Sequence, residues 1–139
     1  VTAWFDQASA EAAEARGDWT TAIALVGEFA ECYSHDPYRH NAHLWHMDLL
    51  VKAGLLHELV DRAEIDVHAR RQLNRFLYEE GRDGVLHERA QRGDKIALYL
   101  LARLLRDRGG SAAAMQAIAD IEMTNTYAIE LAHRPQSDR

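Results

Sequence analysis

Between Cys32 and His46 the chain sets Cys32, His35, Asp36, His40, His43, Trp45 and His46 close together. Imidazole nitrogens with a thiolate or a carboxylate form the donor set that zinc or nickel accepts. His40, His43 and His46 recur every third residue, so successive pairs can meet across one helical turn, with Cys32 or Asp36 as a further ligand. Steps of three also drift round a helix by about 60° each, which works against three imidazoles converging on one ion. Nor is this the HExxH pattern, in which the histidines stand four apart around a general base. Cys32 with His35 is a second candidate, for thiol chemistry, and needs exposure and a lowered thiol pKa. A single helical cysteine more commonly serves as a small buried hydrophobe. Glu79 with Glu80, and Asp61 with Glu64, have the spacing of ordinary solvated helix faces rather than of an acid and a base in contrasting environments. Gly81, Gly84, Gly93, Gly109 and Gly110 fit neither GxxxxGK[ST] nor GxGxxG. The expectation is no catalytic centre, no resident metal and no cofactor, and the chain is not expected to be an enzyme.

The elements that carry these residues read with a 3.6-residue period almost throughout. The chain has 139 residues, 47% of them hydrophobic, with only 2 Pro and 8 Gly, a composition that disfavours disorder and turn-rich β architecture. An all-α fold of eight or nine helices is predicted, as a single domain over 1–139. A first helix from about Thr2 to Arg16 presents Trp4, Phe5, Ala8, Ala12 and Ala15 on its apolar face. Gly17 stops it and Asp18 caps a second helix, from Trp19 to about Tyr33. Asp36-Pro37, a cap followed by proline at the first helical position, starts a third that lasts to Ala53.

From there a repeat emerges at spacings of 27 and 28 residues when Gly54, Gly81 and Gly109 are superposed. Ala42, Ala69 and Ala97 then coincide, as do His46, Leu73 and Leu101. So do Leu50, Leu77 and Leu105, and likewise Leu49, Phe76 and Leu104. After the glycines, Leu59 matches Leu86 and Ala63 matches Ala90, in shorter helices spanning about Leu55 to Ala63 and Arg82 to Gln91. A unit of long helix, glycine turn and short helix buries its apolar stripe by stacking on its neighbours. Asp66 and Asp94 are expected to cap the later long helices, Ser111 a helix through about Ile121, and a last helix runs from about Thr124 to His133. Pro135 and the polar tail read as a frayed end. The hairpins lie near 2–34, 38–64, 66–91 and 94–121, with the capping helix near 124–133. By its alignment with Leu73 and Leu101, His46 becomes a core residue.

The stretch Gly17-Asp18-Trp19-Thr20-Thr21-Ala22-Ile23, continuing to Phe29-Ala30 and Asp36-Pro37, resembles the second helix of a tetratricopeptide repeat. Gly17, Trp19, Ala22, Phe29, Ala30 and Pro37 match its pattern of glycine, aromatic and alanine, then a late aromatic and alanine before a closing proline. Over about 130 residues the chain is similar to tetratricopeptide-like arrays of the kind found in many actinobacterial proteins. The resemblance implies a right-handed array of stacked antiparallel hairpins that binds a protein or peptide. Asp36-Pro37-Tyr38-Arg39 and Lys52-Ala53-Gly54 also look like helix-hairpin domains of bacterial transcriptional activators, which implies an accessory regulatory module as the alternative.

Positions that vary between units while the apolar ones persist are expected to face outward. Leu44, Arg71 and Tyr99 form one column, Asp48, Arg75 and Arg103 a second, and Val51, Tyr78 and Arg106 a third. Arg71, Arg75, Tyr78, Tyr99, Arg103 and Arg106 therefore make the candidate partner-binding surface, suited to an acidic or aromatic segment of another protein or of a second copy of the chain. The formal net charge is −6, and residues 1–60 carry 9 acidic against 3 basic side chains. That balance disfavours tracking a nucleic-acid backbone. Val1 to Gln7 lacks the flanks of a secretory signal and no apolar run has bilayer length, so a cytoplasmic location without membrane attachment is expected. One cysteine excludes a disulfide framework within the sequence.

Overall fold

The computed structural model describes residues 5–32 and 34–134. Among these residues there are nine helices and no strands: α1 (Gln7–Ala15), α2 (Trp19–Phe29), α3 (Pro37–Lys52), α4 (Leu56–Ala63), α5 (Val67–Glu79), α6 (Asp83–Gln91), α7 (Lys95–Gly109), α8 (Ser111–Glu122) and α9 (Thr126–His133). No helix among them is long and apolar enough to cross a membrane. Thr2 and Trp4 of the expected first helix, Tyr33 at the end of the second, and the tail from Pro135 lie outside the described residues.

Short polar side chains start the helices where the sequence places them. The Asp18 carboxylate accepts the Thr21 N–H at 3.2 Å, Asp36 that of Tyr38 at 2.9 Å, Asp66 that of His68 at 2.9 Å and Asp94 that of Ala97 at 3.1 Å. Each satisfies a donor that a helix N-terminus otherwise leaves without an intrahelical acceptor, which is worth about 1 kcal/mol. Several boundaries differ from expectation. The first helix starts at Gln7, after an Asp6 cap, and not near Thr2; the second ends at Phe29, where Ala30 turns extended, and not near Tyr33. Ser111 is the first residue of α8 rather than its cap, because Gly110 fills the cap position. The last helix is capped by Asn125, whose side chain accepts the Ala128 N–H at 3.0 Å, and not started by Thr124.

Gly54 and Gly81 take φ of 74° and 67°, the left-handed conformation in which a Cβ is strained. The third glycine of the series departs from the register: Gly109 remains helical and Gly110 makes the left-handed turn, at φ 83°. A doubled glycine lets the turn fall one residue later at no steric cost.

Contacts gather into two compact units, one ending at Leu73 and the other beginning at Asn74, so the division falls inside α5. In the first unit α2 packs on both α1 and α3, and α3 packs on α4. Its core holds Ala10, Ala13, Ala22, Val26, Phe29, Ala42 and Leu49, with Trp19, Ile23 and Trp45 packed against them. Phe5 stacks on Phe29 at 4.5 Å between ring centroids, and the Arg39 guanidinium lies over the Phe29 ring while donating to the Phe29 carbonyl at 3.0 Å. In the second unit α7 is central, packing on α6, α8 and α9, and α8 also packs on α9. The repeat positions are mostly equivalent in burial: Ala42, Ala69 and Ala97, then His46, Leu73 and Leu101, then Leu59 and Leu86, are all core residues. Leu50 and Leu77 are buried, whereas Leu105, at the same place near the end of α7, is only half-buried.

Candidate functional site

Among the described residues, three of the four buried polar side chains, His43, Asn74 and Asn125, share a device. In the first unit the Asp66 cap uses Oδ1 for the His68 N–H, and its Oδ2 stands 2.7 Å from His43 Nε2 on α3. In the second, the Asp94 cap uses Oδ1 for the Ala97 N–H, and its Oδ2 accepts from Asn74 Nδ2 on α5 at 2.9 Å and from Arg89 Nη2 at 3.3 Å. There too, Asn125 caps α9 with its carbonyl oxygen and donates its amide to the Tyr99 hydroxyl on α7 at 3.4 Å. Each cap side chain thus serves the helix it starts and also holds a polar side chain from an earlier helix. Burial alone would raise the Asp66 pKa. The His68 backbone N–H and the His43 imidazole outweigh it and hold the carboxyl below its ordinary 3.8.

The histidine cluster resolves into separate settings. His35 is exposed. The His40 and His43 rings both meet the His68 ring edge-on, at centroid distances of 5.1 and 5.6 Å. His46 points elsewhere, burying its ring against Gly27 of α2, where a Cβ would lie 3.2 Å from its Cε1. The drift expected of three-residue steps on one helix therefore separates His46 from the other two. Asp36, a ligand candidate by sequence, is committed as the α3 cap. The ligating atoms that do converge belong to Cys32, His43 and Asp66, all within 4.8 Å of one another. Sequence reasoning placed Asp66 as a cap and missed it as a neighbour of Cys32. The available signal was the regular recurrence of helix caps, each opposite a polar residue of the preceding long helix.

Burial depresses the His46 pKa below its ordinary 6.5; Arg62 and His43 add to the effect and Glu58 opposes it. Below about pH 6.5 the unfolded chain then takes up a proton that the folded chain resists, so His46's contribution to stability is full above that pH and declines on acidification. His46→Leu, which restores the residue type of Leu73 and Leu101, is expected to flatten this acid-side decline. The check is the urea midpoint of both proteins at pH 7.5 and 5.5, where the native sequence should lose more than the variant.

Of the six residues expected on the partner-binding surface, Arg71 is exposed and lies in the first unit; the other five lie in the second. There the Arg103 guanidinium sits 5.1 Å above the Tyr78 ring, and the exposed Arg75 pairs with Glu79 one turn along α5 at 3.0 Å. Tyr99 and Arg106 do not face outward as expected. Tyr99 is half-buried, edge-on to Tyr127 of α9 at 4.8 Å. The Arg106 side chain is only 10% exposed, donating to the Leu131 carbonyl at 3.1 Å and pairing with Asp107 at 2.8 Å. The reason is α9, which covers that flank of α7 and draws both side chains into its own packing.

An open apolar hollow of about 390 Å³ in the first unit is lined by Trp19, Thr20, Ile23, Ala24, Ala53 and Leu55. Its polar side-chain groups are the Thr20 hydroxyl and the Trp19 indole N–H. Compared with known proteins, the chain matches no protein-family model, no curated protein and no solved structure.

Proposed function

We propose that the chain is a helical-hairpin interaction module, tetratricopeptide-like in its repeated hairpins, that holds a carboxylate-bearing segment of a partner protein on its arginine-rich helices. The observation that carries this reading is the exposed Arg103, its guanidinium carbon 5.1 Å from the Tyr78 ring centroid, with exposed Arg75 on the same helix as Tyr78. A guanidinium held against an aromatic ring at an exposed position still offers its forked N–H donors, which suit a carboxylate. Arg75's pairing with Glu79 is a solvent-exposed bond between adjacent turns, worth a few tenths of a kcal/mol and readily exchanged for a partner's carboxylate. A second copy of the chain, acidic over residues 1–60, is one partner with this chemistry.

The test combines light scattering on the purified protein with capture from native extract, each repeated on Arg75→Glu/Arg103→Glu. Self-association or capture of an acidic partner by the native sequence, weakened about tenfold or more by the charge reversal, is the expected result. Affinity for that partner unchanged within about twofold would remove these residues from the interface.

A further inference from the structure

We propose that Cys32, His43 and Asp66 form a binding site for one zinc-class divalent ion. The three residues come from the segment between α2 and α3, from α3 itself and from the cap of α5, and their ligating atoms already lie within 4.8 Å of one another. Zinc bonds of about 2.0–2.3 Å hold tetrahedral ligand atoms roughly 3.3–3.8 Å apart. His43 Nε2 and Asp66 Oδ2, now 2.7 Å apart, would therefore open by a fraction of an ångström while the Cys32 thiol swings inward. Both moves are within the reach of side-chain rotation.

Charge and orientation favour the same ion. Thiolate and carboxylate together neutralise a dication, which matters because the His43 and Asp66 side chains are only 8% and 13% exposed. A sulfur and a nitrogen donor select the zinc class over magnesium and calcium, which require sets of oxygens. Asp66 is aimed by its own cap bond, with Oδ1 held by the His68 N–H and Oδ2 presented to the cluster, the outer hydrogen bonding that orients a metal ligand. The His68 ring stands edge-on to His43 and walls one side. Binding releases the thiol proton of Cys32 to solvent, and His43 coordinates as the neutral imidazole, its Nε2 proton moving to Nδ1. Three protein ligands leave the fourth tetrahedral position to water, and the ion ties the α2–α3 connection to the start of α5.

The experiment uses untagged, chelator-stripped protein titrated with Zn²⁺, with Co²⁺ as the spectroscopic probe. One equivalent should bind. Cobalt should show a thiolate charge-transfer band and the intense visible bands of tetrahedral coordination. Cys32→Ser should abolish the charge-transfer band, and both Cys32→Ser and Asp66→Asn, the latter still able to cap α5, should weaken zinc binding at least about tenfold. In the native sequence, independent of any variant, zinc should slow alkylation of Cys32 about tenfold or more. Binding of less than roughly 0.2 equivalent overturns the proposal. So does zinc binding that Cys32→Ser leaves unchanged, which would put the ion on other histidines, and so does alkylation that zinc does not slow.

Discussion

Asp94→Ala is expected to destabilise the second unit by about 3–5 kcal/mol, the cost of removing one partner from a buried ion pair. The carboxylate accepts the Ala97 N–H, the Asn74 amide and the Arg89 guanidinium, and the Arg89 and Asp94 side chains are only 14% and 11% exposed. Removing it uncaps α7 and leaves a nearly buried cation without its carboxylate, while Asn74, 1% exposed, keeps only its bond from Arg89 Nε at 3.0 Å. Asp94→Asn is expected to recover no more than the cap, roughly 1 kcal/mol, because asparagine has one amide oxygen: spent on the Ala97 N–H, it leaves an NH2 facing the Asn74 and Arg89 donors. Thermal melts followed by circular dichroism check the pair. The alanine variant should melt on the order of 10 °C lower than the native chain. Equal losses from both substitutions would mean that the cap alone recovers nothing and that the pairing with Asn74 and Arg89 carries the whole effect.

Leu101→Ala should cost about 2–5 kcal/mol, through lost apolar burial and an incompletely filled cavity. Leu101 is 1% exposed on α7, the helix on which α6, α8 and α9 all pack, so no neighbour can close over the gap without disturbing another contact. Ile96, on the same helix, is 52% exposed, and Ile96→Ala should stay within about 0.5 kcal/mol of the native stability. Denaturant unfolding of the two variants measures the contrast directly. A small effect at Leu101 would show that α7 is not the centre of its unit.

These expectations rest unevenly on sequence. Leu101 was legible as a core residue from the repeat alone, because it coincides with Leu73 and His46 in a pattern that only buried positions sustain. The same alignment identified His46 as buried, at 7% exposure, despite its polar type. Asp94 was legible as a cap, but its buried partners were not: Asn74 lies 20 residues earlier and carries no periodic signal of its own. The outward-facing columns were legible in part. Arg71, Arg75 and Arg103 are exposed as the columns predict and Tyr78 is half-buried, but Tyr99 and Arg106 were misread because a column records variation between units and not what a terminal helix covers.

By itself the sequence determined the helical period, most helix starts and the core stripe of the repeated helices, but not that of α1, where Ala10 and Ala13 are buried and the expected Ala8, Ala12 and Ala15 are exposed. Those features follow from interactions within three or four residues: a carboxylate reaching an N–H of the next turn, a proline whose ring already fits the first turn, a side chain recurring on one face. The tertiary structure alone decided that Asp66 meets His43 and Cys32, that Arg106 turns inward beneath α9, and that Gly110 rather than Gly109 makes the last left-handed turn. The first two depend on which helix packs against which, and so join residues tens of positions apart. The third was a choice between adjacent glycines of equal backbone freedom, which no local signal in the sequence separates.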